Sequence, residues 1–330
     1  MIRSENHSSY PRVGDSPLDQ QLRTARRRFD AGKIDRDAWL EAVDEATTIV
    51  VAEQSRAFID IVTDGGVGHD GPWSASVSAV DGLESGEWVR WFETNFYDRR
   101  PVVVGDLRRR HSWLGHGAEV AATVSLRKPV KAVMTGPATF VRLARDEHYM
   151  DADKLADDYA AVLADEVTEL RGAGTSHFQF DEPLLCRHPE DLDRIVRTLT
   201  PVVAAAGEGA VTTLSTYFGN LNASADRLGE LPCSHLGLDM TAGSGNDHVL
   251  KRVPDGMGVN LGLFDATRSA QEDANDVAIR LETHRGTLES RDVIVGPNTG
   301  LELLSRDQAF DKLLHARYLV EKLQKEWSWQ

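Results

Sequence analysis

Only two cysteines, Cys186 and Cys233, occur in 330 residues. That is too few for a disulfide framework and fits a reducing compartment. No stretch approaches the run of about 20 apolar residues that spans a bilayer, and residues 1–16 are polar, without the apolar core of a secretory leader. A cytoplasmic protein with no membrane role is expected. Basic charge is also scarce: 37 Lys and Arg stand against 52 Asp and Glu, for a formal net charge of -15. Nucleic acid, which is held by clustered cations that displace counterions, is therefore not an expected partner. The two basic runs, Arg26 to Arg28 and Arg108 to Arg110, are short and read as solvated faces.

What is present is apolar material enough for a large core, since 41% of the residues are hydrophobic. The length allows one large α/β barrel or two modest domains. Neither a low-complexity linker nor a sharp composition shift divides the chain, so residues 1–330 are expected to form one domain. Asp35 is placed to cap a helix from about Arg36, whose stripe runs through Trp39, Leu40, Val43, Ala46, Ile49 and Val50. Similar stripes appear at roughly 151–171, 189–206, 268–284 and 305–325. Eight short runs have strand character: 58–63, 101–104, 130–134, 177–181, 210–215, 235–239, 257–262 and 292–296. Eight is the barrel number, and the expected fold is a (β/α)8 TIM barrel with an N-terminal helical extension, a doubly wound sheet being the alternative.

The most informative run is His177-Phe178-Gln179-Phe180-Asp181-Glu182-Pro183. Its alternating pattern reads as a buried strand, and Pro183, which cannot donate to a ladder, ends it just after two carboxylates. Barrel enzymes keep their chemistry at such strand ends. Other runs also end in polar groups: Asp64, Asp106, Thr135, Ser215 with Thr216 and Tyr217, Asp239, Asp265, and Asn298 with Thr299. In a barrel these share one mouth. Several carboxylates in one crevice suit a substrate ammonium, or a proton-transfer pair whose pKa values repulsion drives apart. For each member, capping of the following helix is an equally good account.

Five motifs, in order over most of the chain, resemble the cobalamin-independent methionine synthases and their single-domain relatives. Ser8-Ser9-Tyr10-Pro11-Arg12 resembles the family's opening Ser-Tyr/Phe-Pro-Arg segment, and Arg99-Arg100-Pro101-Val102-Val103 a second landmark. Met134-Thr135-Gly136-Pro137 is similar to its Thr-Gly-Pro turn, Gln179-Phe180-Asp181-Glu182-Pro183 to its Gln-Ile-Asp-Glu-Pro strand end, and Gly296-Pro297-Asn298-Thr299-Gly300-Leu301 to its closing Pro-Asp-Cys-Gly-Leu turn. The resemblance implies a barrel whose mouth binds an amino-acid thiol beside a methyl donor, with zinc ionising the thiol.

The zinc ligands are where the chain departs from that pattern. The family's His-x-Cys pair falls at Leu214 and Thr216, its late cysteine at Thr299 and its glutamate near Asp239. An alkyl chain cannot bind zinc and hydroxyls are poor substitutes for thiolate, so no metal ligand is expected and zinc is an unlikely cofactor. Cys233-Ser234-His235 has a tempting spacing, but opens a strand at the end away from the mouth; a buried cysteine and a satisfied core histidine are the plainer account. The acidic residue expected after the family's first Asp-Gly is replaced by Gly66, and its late catalytic histidine region reads Asp265-Ala266-Thr267-Arg268.

Two functions follow from the resemblance. One is a transferase of methionine biosynthesis that moves a methyl or small alkyl group to an amino-acid-like acceptor without the family's zinc. Asp181 would anchor the ammonium, Glu182 act as acid or base, Tyr217 position, and Ser9, Thr135, Asp239 and Asn298 complete the substrate site. The other is a non-catalytic or folate-binding barrel, like the amino-terminal half of the two-barrel synthases, acting with a separate zinc-bearing subunit. Thr216-Tyr217-Phe218-Gly219 is similar to a turn of that half. Tyr217, Trp73 and Trp88 are the candidate stacking surfaces for a methyltetrahydrofolate-type donor.

Overall fold

The short apolar runs build a ring of parallel strands in the computed structural model, which describes residues 1–14, 20–92, 94–241 and 245–329. Strand β1 (Ile2–Ser4) precedes the helical extension, α1 (Gln21–Asp30) and α2 (Arg36–Arg56). A hairpin follows, β2 (Val80–Arg90) and β3 (Tyr97–Arg109), then α3 (Gly115–Val124), β4 (Lys131–Thr135), α4 (Pro137–Leu143), the two-residue β5 (Arg145–Asp146) and α5 (Ala152–Gly172). The remainder alternates: β6 (His177–Asp181), α6 (Leu192–Ala206), β7 (Val211–Ser215), β8 (His235–Asp239), α7 (Gly245–Leu250) and β9 (Gly258–Phe264). It ends with α8 (Ala274–Glu282), α9 (Arg285–Leu288), β10 (Val293–Pro297) and α10 (Arg306–Glu326).

The sheet order is β1-β10-β9-β8-β7-β6-β4, all parallel. Bridges from Glu5 to Ile61 and from Val62 to Val130 close it. The segment around residues 61 and 62 is thus the eighth stave, between β1 and β4, and the fold is a TIM barrel with an N-terminal helical extension. Every residue of β6, β8, β9 and β10 is buried, as expected of strands covered on both faces.

One strand expectation needs correction, and one barrel strand is missing from the expected set. Residues 101–104 are in β3 of the antiparallel hairpin, paired with β2 and β5, outside the barrel. Their β-branched character is real, and Val102 and Val103 are buried, but strand propensity does not specify which sheet a strand joins. The barrel strand passed over is β1, whose three residues are too few to show a period. Run 58–63 does belong to the barrel, but contributes only the two bridges.

The helices start where their caps dictate. Asp35 accepts from Ala38 N at 2.9 Å, and Asp151 accepts from Asp153 and Lys154 amides at the head of α5. Ser305 and Gln308 form a capping box on α10. The stripe expected over 268–284 is helical only from Ala274, behind its cap Asp273. The extension packs against α10, with Leu22, Val43, Val50 and Leu313 in one cluster around Tyr10. No helix among the described residues is long and apolar enough to cross a membrane.

Candidate active site

Inside the barrel a polar column rises toward the mouth. Lys131 Nζ donates to Glu5 Oε2 and to Gln179 Oε1, both at 2.6 Å, and Asn260 Nδ2 donates to Glu5 Oε1 at 3.0 Å. Gln179 Nε2 passes the chain upward to Asp181 Oδ1 at 2.8 Å. Tyr217 donates its hydroxyl to Asp181 Oδ2 at 3.2 Å. Strand alternation places Gln179 and Asp181 on the same face of β6, which is why one can bond the other. Burial raises the Asp181 carboxyl to about 7 against the lowering pull of Gln179, Lys131 and Tyr217. Burial, reinforced by Asp181, also raises the Tyr217 phenol well above its usual value.

Glu182, next in sequence, is engaged elsewhere. Its oxygens accept from the backbone amides of Ala138 at 2.9 Å and Thr139 at 2.7 Å, two of the orphan donors at the head of α4. Gly136 makes this approach possible, since a Cβ there would stand 2.3 Å from Glu182 Oε1. Burial raises this carboxyl to about 7, with Thr139 and Ala138 pulling it down. Thr135, at the end of β4, is 3.3 Å from Pro72 O through its hydroxyl.

Asp239 and Asn298 meet, but in a brace among loops. Asp239 accepts from Phe218 N at 3.0 Å, Thr241 N at 2.9 Å and Thr241 Oγ1 at 2.6 Å. Asn298 Nδ2 donates to Asp239 Oδ2 at 3.2 Å and Asn298 Oδ1 accepts from Ala266 N at 2.9 Å. These bonds tie the ends of β8, β9 and β10 together. Asp106 is not at the mouth at all: it lies on β3 and bonds His148 at 2.9 Å, because its run belongs to the hairpin.

The opening motif lines the other side. Ser8, Ser9, Arg12, Asp64, His69 and Glu302 border a narrow cleft. Ser9 O accepts from Leu301 N at 2.9 Å, joining the first and last motifs. Gly66 has a φ of +63, and a Cβ there would stand 3.3 Å from Ser9 Oγ. An acidic side chain at this position would meet both backbone strain and crowding.

His7 was not among the residues singled out from the sequence. It lies three residues past the end of β1, is buried, and packs edge-to-face with the Tyr217 ring, the centroids 5.4 Å apart. Its Nε2 lies 2.9 Å from Ser215 Oγ and its Nδ1 2.9 Å from Ser8 Oγ. The signal that would have found it is position, two residues before Ser9 at the end of a strand too short to recognise.

The hairpin tip covers the Tyr217 side of the mouth. Phe92 packs 5.5 Å from Phe218, 6.3 Å from Tyr217 and 5.4 Å from Trp73. Phe92 and Phe218 both have positive φ, +53 and +59, a conformation that side chains other than glycine rarely adopt. Of the three stacking candidates, Tyr217 is at the mouth. Trp73 is enclosed by Trp91, Phe92 and Phe96, and Trp88 lies out on β2 beneath Arg99, so neither fits a pterin face here.

The positions matching the family's zinc ligands do not fit zinc. Leu214 has no lone pair to give, Thr216 donates its hydroxyl to Gly237 O at 2.9 Å, and Asp239 is engaged as described. Burial raises the Cys186 thiol to about 12, away from thiolate. Among the described residues no group of three or more His, Cys, Asp or Glu is arranged to hold a metal. Cys233 and His235 are buried, the latter beside Asp292 at 3.3 Å.

A family model described as the catalytic domain of cobalamin-independent synthases matches residues 10–322. The chain is 26% identical over 303 residues to a methionine synthase of Saccharolobus solfataricus, covering 92% of this chain and 90% of that protein. It is 27% identical to the methionine synthase of Sulfurisphaera tokodaii, covering 92% and 88%. Among solved structures, a B12-independent methionine synthase from a Shewanella species, in complex with selenomethionine, superposes with a TM-score of 0.81 at 21% identity, covering 98% of each chain.

Proposed function

The chain belongs to the cobalamin-independent synthase family, and from that premise we propose that it transfers a methyl or small alkyl group to an amino-acid-type acceptor in the cytoplasm, as a step of methionine-synthase type. The family match and the methionine synthase relatives support methyl transfer. Residues 1–330 act as one domain, and the donor is of the methyltetrahydrofolate type. No zinc works at the family's ligand positions, since Leu214, Thr216, Thr299 and Asp239 do not compose a zinc set.

The observation that carries this reading is the state of Asp181. It is a buried carboxylate whose two oxygens receive only the neutral donors Gln179 and Tyr217. An acceptor's ammonium supplies the missing positive charge and restores Asp181 to its ionised form. Tyr217 holds the carboxylate in line. Ser9 presents the segment that takes the acceptor's own carboxylate, while Thr135, Asp239 and Asn298 bound the mouth. Glu182, with both oxygens on α4 amides, fixes that helix beside the site, and proton transfer falls to other groups.

The absent thiolates favour a second reading, a non-catalytic barrel that holds donor or acceptor for a separate zinc-bearing subunit. Metal analysis of the purified protein, with methyl-transfer assays alone and mixed with a zinc-bearing homologue, tests both. Activity of the lone, zinc-free protein is the expected result. Stoichiometric tightly bound zinc overturns the metal-free reading, and activity only on mixing transfers the case to the partner barrel.

A further inference from the structure

A barrel that alkylates a thiol or amine without a metal needs somewhere to put the nucleophile's proton. Zinc solves this elsewhere by holding the nucleophile deprotonated. Here the region matching the family's late histidine holds Asp265, which accepts from the amide and hydroxyl of Thr267 and pairs with Arg268, in keeping with a loop cap. Glu182 is committed to α4.

Of the imidazoles near the cleft, His69 borders it on the side of Asp64 and Arg12, whereas His7 contacts Tyr217 and Gln179 of the Asp181 network. His7 reaches Ser215 through Nε2 and Ser8 through Nδ1, each at 2.9 Å, and Gln179, the partner of Asp181, approaches its ring at 3.4 Å. Ser8 borders the cleft. The backbone carbonyl of Ser8 is held by Asn6 Nδ2 at 2.9 Å and Thr63 Oγ1 at 2.6 Å, which anchors this loop beside the cleft. From the cleft inward the order is therefore hydroxyl, imidazole, hydroxyl, all held in hydrogen-bond contact.

We propose that Ser8 and His7 form a proton relay, in which the cleft-facing hydroxyl of Ser8 takes the acceptor's proton as its nucleophilic atom is alkylated and passes its own to His7 Nδ1. The proposal rests on the methyl-transfer reading above. In the step, the bond from the methyl carbon to the donor's leaving atom breaks with its electron pair going to that atom. A new bond forms from the same carbon to the acceptor's sulfur or nitrogen. The acceptor's proton goes through Ser8 to His7 and from there to the departing donor, so the sum is acceptor-H plus methyl-donor giving methyl-acceptor plus donor-H. The relay uses the tautomer with its proton on Nε2, toward Ser215 Oγ at 2.9 Å, which leaves the Nδ1 lone pair toward Ser8.

Charge around the ring suits this role. Burial, and then the Lys131 ammonium, lower His7 well below its usual value. Gln179 of β6 and Tyr217 of the loop after β7 face the ring, and Glu5 neutralises Lys131 from below. A neutral imidazole is a competent acceptor throughout the physiological range. It is too weak a base to strip a resting thiol, so proton transfer accompanies alkylation, when the acceptor's acidity rises steeply.

The test uses the full chain with an α-amino acid bearing a side-chain thiol as acceptor and 5-methyltetrahydrofolate as donor. His7→Ala and the bulk-preserving His7→Gln are each expected to lower kcat by about 100-fold or more, with KM for the acceptor within about threefold, as for loss of a general base. Imidazole added to His7→Ala restores part of kcat, and Ser8→Ala shows the same split without that rescue. Thermal melts confirm that the variants are folded. A folded His7→Gln with the wild-type rate overturns the relay and leaves the methyl-transfer reading standing, as does loss of acceptor binding together with kcat and no imidazole rescue. A wild-type protein that transfers no methyl group overturns the methyl-transfer reading and the relay with it.

Discussion

The backbone amide of Thr139 donates to Glu182 Oε2 at 2.7 Å, and this bond separates two adjacent carboxylates by role. Asp181 keeps its oxygens among side chains at the mouth, while Glu182 caps α4 at positions where its charge also meets the favourable end of the helix dipole.

Glu182→Gln sets a side-chain NH2 against one of the two α4 amides and is expected to lower stability by about 1 to 3 kcal/mol, the cost of a buried donor left without an acceptor, with amino-acid binding nearly unchanged. Urea unfolding and calorimetry check the two halves. Lost affinity at unchanged stability would return Glu182 to the substrate site as an acid or base.

Asp181→Asn is expected to weaken binding of an amino-acid ligand by about 1 to 3 kcal/mol, the loss typical of a charge-assisted hydrogen bond. Because the free carboxyl sits at about 7, wild-type affinity for an ammonium rises as pH passes upward through that value. In Asp181→Asn this dependence disappears. Titration calorimetry at several pH values reads both effects, and an unchanged affinity removes Asp181 from the site.

The free protein carries a related signature in its stability. Asp181 and Glu182 stand at about 7 when folded, against 3.8 and 4.5 ordinarily. Folded values above unfolded ones mean that their contribution is complete below about 4 and is lost as pH rises through about 7. Melting temperature is thus expected to fall across that window. Asp181→Asn flattens the slope, and a variant with the wild-type slope contradicts the assignment.

Lys131 and Glu5 form a buried pair at 2.6 Å beneath the site. Lys131→Met strands the Glu5 charge and is expected to cost about 3 to 5 kcal/mol, whereas Lys131→Met with Glu5→Gln recovers part of that loss. Denaturant unfolding of the three proteins measures the difference. No recovery in the double variant would show that packing, rather than the unpaired charge, dominates.

Much of the fold was legible in local pattern. Asp35 announced a helix start through a side chain that reaches an amide three residues away, and the His177–Asp181 run was recognisable because both faces of a barrel strand are covered. The hairpin defeated that approach. Val102 and Val103 look the same in sequence whether their neighbours are barrel strands or β2, and the choice is made by pairing partners distant in the chain. The strand at Ile2–Ser4 was too short to carry a period.

The candidate site divides along the same line. The sequence by itself placed Asp181, Tyr217, Thr135, Asp239 and Asn298 at strand ends, because strand ends are local features, whereas Ser9 came from the resemblance of its opening segment. It also showed that Leu214, Thr216 and Thr299 carry neither the thiolate nor the imidazole of the family's zinc set, since that is a matter of residue chemistry alone. Only the tertiary structure decided what each polar atom bonds. Glu182 finds its partner 43 residues away in Thr139, Asp239 meets Asn298 across 59 residues, and His7 meets Ser215 across 208. Hydrogen bonds are short-ranged and directional, so a carboxylate or imidazole takes its role from whichever groups the closed barrel brings within about 3 Å.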